Sequence, residues 1–291
     1  MRAAVRGTEL YFDVEGAGLV ADGAAMCERP VAFVLHGGPG GDHTGFKPGM
    51  SPLAAHMQLI YIDHRGHGRS AAGDPARYTL DENVEDLEAL RRYLGLGPVV
   101  VIGTSYGGMV AMAFAARHPA SVSKLALIVT AADGGFRECA QSWVEAHGTP
   151  DQRRVCAMLW AGRLDTAADM MEYYDVMGPL YARSYTPERA AAGRGRATYT
   201  PAAINNAFKP DGFLARMDLR PELARITAPT LILAGRHDWI CPPRYSEEIH
   251  RLIPGSRLHV FENSSHSIRV DEPEALNQSL IEFIAETADG G

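Results

Sequence analysis

Three residues far apart in the chain supply the groups that acyl-transfer chemistry needs: a hydroxyl in Ser105, a carboxylate in Asp238 and an imidazole in His266. Ser105 stands in VVVIGTSYGGMVAM, where Gly103, Ser105 and Gly107 form GxSxG directly after an apolar run and before a helical stretch. A serine held at a strained turn between strand and helix needs neighbours without side chains, both for the turn and for close packing. Its hydroxyl attacks only when a histidine takes the proton, and that histidine works only when a carboxylate orients it. Eleven histidines are available. His266 follows the strand-like RLHVFE, and Asp238 follows TLILAG, so both fall on loops after later strands. His259 lies within its strand, His250 within a helix and His237 beside the acid, which suits structural roles. A third element is HGGPG, His36 to Gly40, after VAFVL. There Gly37 and Gly38 let a backbone N–H approach a developing oxyanion, with Gly38 and Tyr106 as the paired donors. The alternative for both glycines is a plain turn.

The elements that must carry these residues alternate. The chain reads as two short strands between Val5 and Glu15, a loop from Gly16 to Pro30, and a continuously apolar strand from Val31 to Leu35. Such a strand, apolar on both faces, belongs in a parallel sheet. Further strands are expected at Gln58 to Ile62, Val99 to Gly103 and Lys124 to Val129, with helices from Asp81 to Leu94 and from Tyr106 to His118. After an interruption come a strand (Thr230 to Ala234), a helix (Pro243 to Leu252), a strand (Arg257 to Phe261) and a closing helix (Glu272 to Glu286). Strand and helix in alternation imply an α/β protein with a mostly parallel, doubly wound sheet. Between Asp133 and Met217 the alternation gives way to amphipathic segments such as MLWAGRLDTAADMMEYYDVM, read as a helical cap. The expected division is a core of residues 1–132 and 218–291 with a cap of residues 133–217.

Composition narrows the partners. The chain has 291 residues, 46% hydrophobic and 22% charged, with a net charge of −7 and no long basic stretch. That argues against nucleic acid or an anionic membrane surface, and a small uncharged or cationic substrate, a small molecule or short peptide, fits better. The start, MRAAVRGTELYFDVEG, lacks the apolar stretch of a secretory signal, so a cytoplasmic location is expected. Cys27, Cys139, Cys156 and Cys241 show no metal-ligand spacing, and neither a disulfide, a metal nor a cofactor is expected. In DHRGHGRS, Asp63 and Arg65 are expected to pair within the loop, with His64 and His67 as exposed polar residues.

HGGPG, DHRGHGRS and GTSYGG, with the later HDWICP and SSHSI, resemble the proline iminopeptidase branch of the α/β-hydrolase fold. The likeness spans roughly residues 30–130 and 220–285. His64 stands where the family's second motif has Gln, and the insertion has Trp143 and Trp160 in place of a WxxWE segment. The resemblance implies a serine hydrolase with Ser105 as nucleophile, His266 as base and Asp238 as its partner. It implies small amide or peptide substrates with a free N-terminus, the alternative being a carboxylesterase or lactonase. Gly37 and the acids of the insertion, Glu145, Asp169, Glu172 and Asp175, are then candidates for substrate binding, with Glu172 and Asp175 foremost for a free amine. Epoxide hydrolases and dehalogenases of the same fold use an Asp where this chain has Ser105.

Overall fold

The computed structural model describes residues 1–286. Ten strands are present among them: β1 (Arg2–Val5), β2 (Thr8–Glu15), β3 (Leu19–Asp22), β4 (Ala25–Glu28), β5 (Val31–Leu35), β6 (Gln58–Ile62), β7 (Val99–Thr104), β8 (Val122–Ile128), β9 (Thr230–Gly235) and β10 (Arg257–Phe261). Eight of them form one sheet in the order β1-β2-β6-β5-β7-β8-β9-β10. From β6 to β10 all neighbours are parallel, and only β2 runs against the rest. Every residue of β7 and β9 is buried, which is why their sequences carry no polar alternation.

The helices are α1 (Lys47–Met50), α2 (Leu80–Tyr93), α3 (Tyr106–Arg117), α4 (Phe136–His147), α5 (Pro150–Trp160), α6 (Ala167–Tyr181), α7 (Pro187–Arg194), α8 (Pro201–Phe208), α9 (Pro243–Leu252), α10 (Ile268–Asp271) and α11 (Pro273–Ala285). Helix α2 begins under the Thr79 hydroxyl, which accepts from the Glu82 N–H, and it places Asp81 and Glu82 early and Arg91 and Arg92 late, as the helix dipole favours. Helix α3 is buried from Tyr106 to Ala116, so it is apolar all round. Two hydrophobic clusters pack on the sheet, one with Phe33, Val101, Leu127 and α3, the other with Val34, Ile102, Leu233 and α11. Helices α4 to α8 all fall between β8 and β9, where the sequence breaks its alternation.

Two sequence expectations fail here. Residues 16–30 hold the hairpin of β3 and β4, turning through Gly23 at φ 57°, where a loop was expected. Its residues are nearly all exposed, so no apolar periodicity announces it; the Asp22-Gly23 pair is the one signal present. In DHRGHGRS, Asp63 does not pair with Arg65. Asp63 accepts from the His43 and Arg69 N–H groups, while Arg65 Nε donates to Asp86 Oδ2 at 2.8 Å across to α2. Both side chains are buried; Asp63 is held by N–H groups from its own loop and from the segment at His43, Arg65 by a carboxylate of α2, and neither bonds the other.

Candidate active site

Strand β5 neighbours both β6 and β7, so the chain leaves β5 on one side and returns on the other. At such a reversal a crevice opens beyond the carboxyl ends of the strands. His36, Gly37 and Gly38 follow β5, and Ser105 follows β7, so both motifs face that crevice. Ser105 has φ 54° and ψ −119°, a conformation that costs free energy for a residue with a side chain. Close packing holds it there. A Cβ on Gly103 would meet the Gly107 carbonyl oxygen at 2.3 Å, and one on Gly107 would meet the Leu35 oxygen at 2.3 Å. Thr130 Oγ1 donates to the Ser105 carbonyl at 2.8 Å and fixes the turn from β8's end.

His266 joins serine to acid. Its Nδ1–H donates to Asp238 Oδ2 at 2.8 Å, and the Ser105 hydroxyl lies 3.0 Å from its Nε2. The other oxygen of Asp238 accepts from the N–H groups of Ile240 and Cys241, at 2.8 and 2.9 Å. Asp238 and His266 are buried. A carboxylate with both oxygens so engaged fixes the imidazole tautomer, leaving Nε2 bare toward the hydroxyl.

The N–H of Tyr106 is the first of α3 and has no acceptor within that helix, so it is available beside Ser105. Gly37 presses on Ser105: a Cβ there would meet Ser105 Cβ at 3.2 Å. Gly38 has φ 116°, which glycine adopts without strain. The Tyr106 side chain is turned into the core, where its hydroxyl accepts from Asn83 Nδ2 at 2.7 Å.

Ser105 and His266 open into a cavity of about 710 Å³. Aromatic side chains from the insertion dominate its wall, among them Trp160, Tyr173, Tyr174, Tyr181 and Tyr199, joined by Phe46 and Trp239 from elsewhere. The Tyr181 ring packs edge-on against His266 at 5.7 Å, and its hydroxyl lies 3.0 Å from that of Tyr173. The charged residues of the lining, besides His266, are Asp42, Arg189, Arg196 and Arg269.

A model of the alpha/beta hydrolase fold matches residues 30–273. The chain belongs to the alpha/beta hydrolase family. It is 30% identical over 277 residues to proline iminopeptidase PfmaB of Pestalotiopsis fici, covering 93% of this chain and 97% of that one. To a proline iminopeptidase of Saccharolobus solfataricus it is 30% identical over 267 residues, 86% and 83% of the two chains. Among solved structures it is similar to an esterase from Exiguobacterium antarcticum, with a TM-score of 0.78 and 26% identity over 97% and 98% of the chains. It is therefore a hydrolase, proline iminopeptidase-like in sequence.

In this alpha/beta hydrolase the expected acids of the insertion do not reach the cavity. Glu172 is exposed and pairs with Arg154 at 2.6 Å. Asp175 is exposed on the same helix and absent from the lining, as is Glu145. Asp169 accepts from the Thr166 N–H at 2.8 Å and caps α6. On α6 helical spacing turns Glu172 and Asp175 to the outer face, while Tyr173 and Met177 take the inner one. His64 and His67, expected to be exposed, are 2% and 1% exposed. Their rings lie tilted against that of His36, at centroid separations of 4.5 and 5.5 Å. Burial pushes all three below the ordinary histidine value, His67 to about 3. The tyrosine wall was not foreseen, although the run EYYDVMGPLYARSY was visible in the insertion.

Proposed function

We propose that this hydrolase cleaves small acyl compounds through a covalent intermediate on Ser105. The observation that carries this is the chain of hydrogen bonds from Ser105 through His266 to Asp238, opening into the cavity. Ser105 Oγ attacks the scissile carbonyl carbon as its proton passes to His266 Nε2. The carbonyl electron pair moves onto oxygen, where the N–H groups of Gly38 and Tyr106 receive it. Collapse of this intermediate expels the leaving group, which takes the proton from His266, and leaves an acyl ester on Ser105. Water, deprotonated by His266, repeats the attack and frees the acid. Asp238 keeps the imidazole oriented and balances its positive charge.

Ester cleavage is the first reading of the substrate. Among the described residues the one carboxylate in the lining is that of Asp42, which already accepts from Thr44, Arg69 and Thr198. That leaves an ammonium group without a free counter-ion. Removal of an amino-terminal residue from a short peptide is the second reading, favoured by the names of the curated relatives. Turnover of p-nitrophenyl butyrate, and of alanyl p-nitroanilide beside its N-acetyl form, separates them. Ester turnover with no preference for the free amine is expected. A preference of about tenfold or more for the free amine selects peptide cleavage, and failure on every substrate contradicts the proposal.

A further inference from the structure

The cavity wall contains a cation without a counter-ion. Arg269 stands three residues after His266, on α10, and lines the same cavity as Ser105. Its Nε donates to the Gly45 carbonyl at 3.1 Å, and its guanidinium lies over the Phe46 ring, 4.5 Å from the centroid. Among the described residues no carboxylate pairs with it. The acids around it are committed elsewhere. Asp238 holds His266, and Asp42 holds Arg69 and Thr44. Asp271 accepts from Ser184 and Ser265, and Glu272 from Ser264.

Arg269 is half-buried, so its guanidinium is partly stripped of water with no anion beside it, and its planar fork of donors matches a carboxylate. Burial lowers Arg269 to about 10, which leaves it charged at neutral pH. Arg189 and Arg196, exposed residues of the same lining, add positive charge on the insertion side. An anionic substrate therefore finds an attractive field as well as a fixed partner.

We infer that Arg269 is a specificity residue: the substrate carries, besides its scissile acyl bond, a carboxylate that pairs with this guanidinium. The substrate class is an ester that also bears a carboxylate: a monoester of a dicarboxylic acid, with the anion on the acyl side, or an O-acylated hydroxy acid, with the anion on the leaving side. This deepens the proposed hydrolysis at Ser105 and rests on it.

The test compares kcat/KM for matched anionic and neutral esters. One pair is p-nitrophenyl hydrogen adipate and its methyl ester, with the anion on the acyl side. The other is 4-acetoxybenzoate and its methyl ester, with the anion on the leaving side. Wild type is expected to prefer the anion in at least one pair by about tenfold or more, the effect of one charge-assisted hydrogen bond. Arg269→Gln should bring that ratio near one while leaving the neutral ester within about threefold of wild type. Arg269→Lys should retain part of the preference. Ratios near one in both pairs for wild type, or an anion preference that survives Arg269→Gln, overturn the inference. An equal fall on both members of a pair assigns Arg269 to structure and also overturns it. Failure of wild type on the neutral esters would instead count against the Ser105 reading, so the two failures are distinguishable.

Discussion

Asp238 engages its two oxygens differently, and that asymmetry makes Asp238→Asn a sharp test. Oδ1 accepts two backbone N–H groups, so the asparagine carbonyl must take that position and its NH₂ must face His266. The imidazole then accepts at Nδ1 and carries its proton on Nε2, where it is unable to take one from Ser105. kcat should fall by about 10⁴-fold with little change in melting temperature. Retention of more than a tenth of wild-type kcat would mean that Asp238 does not set the tautomer. At this scale the meeting of Ser105, Asp238 and His266 was legible because each stands just after an apolar strand, in the chain order this fold uses. Glu172 and Asp175 were not, because sequence spacing does not say which helix face meets the cavity. Arg269 was missed altogether, since one arginine on the short α10 carries no signal in the sequence until the structure shows it without a carboxylate partner.

The elbow is a property of three elements at once. β7 and α3 cross so closely that Gly103 lies against the Gly107 backbone and Ala111. Gly103→Ala puts a methyl group 2.3 Å from the Gly107 oxygen, and no side-chain rotation relieves a clash between backbones. We expect a loss of stability of about 3 kcal/mol and a larger fractional loss of kcat, since Ser105 sits between the two displaced segments. Denaturant unfolding together with steady-state kinetics checks both; a variant with wild-type values of each would refute the packing account. Apolar runs made β5, β7 and β9 readable, because burial on both faces leaves them no polar alternation. The β3 and β4 hairpin escaped because its strands pair with each other and bury almost nothing. The tyrosine wall escaped for the opposite reason: tyrosines on amphipathic helices look the same whether they face a core or a cavity.

For the molecule as a whole, the three buried imidazoles of His36, His64 and His67 tie stability to pH. Their values are lowered in the folded state, so the unfolded chain binds protons more readily as pH falls below its ordinary histidine value near 6.5. Their contribution is complete above that value and is lost on acidification, for His67 down to about 3. Each such histidine costs about 1.4 kcal/mol per pH unit across the window. Carboxylates with lowered values, such as Glu88 at about 2 beside Arg91, act only below pH of about 4.5, so pH 5 to 6.5 belongs to the histidines. Melting temperature should fall between pH 7 and 5, and His67→Leu should give a shallower slope; an unchanged slope would remove His67 from the account. The central claim, that Ser105 is the nucleophile of this hydrolase, is tested most directly by fluorophosphonate labelling followed by peptide mass mapping. Wild type should carry one adduct, on Ser105, and folded Ser105→Ala should carry none. An unlabelled wild type, or an adduct that persists in Ser105→Ala, would contradict it.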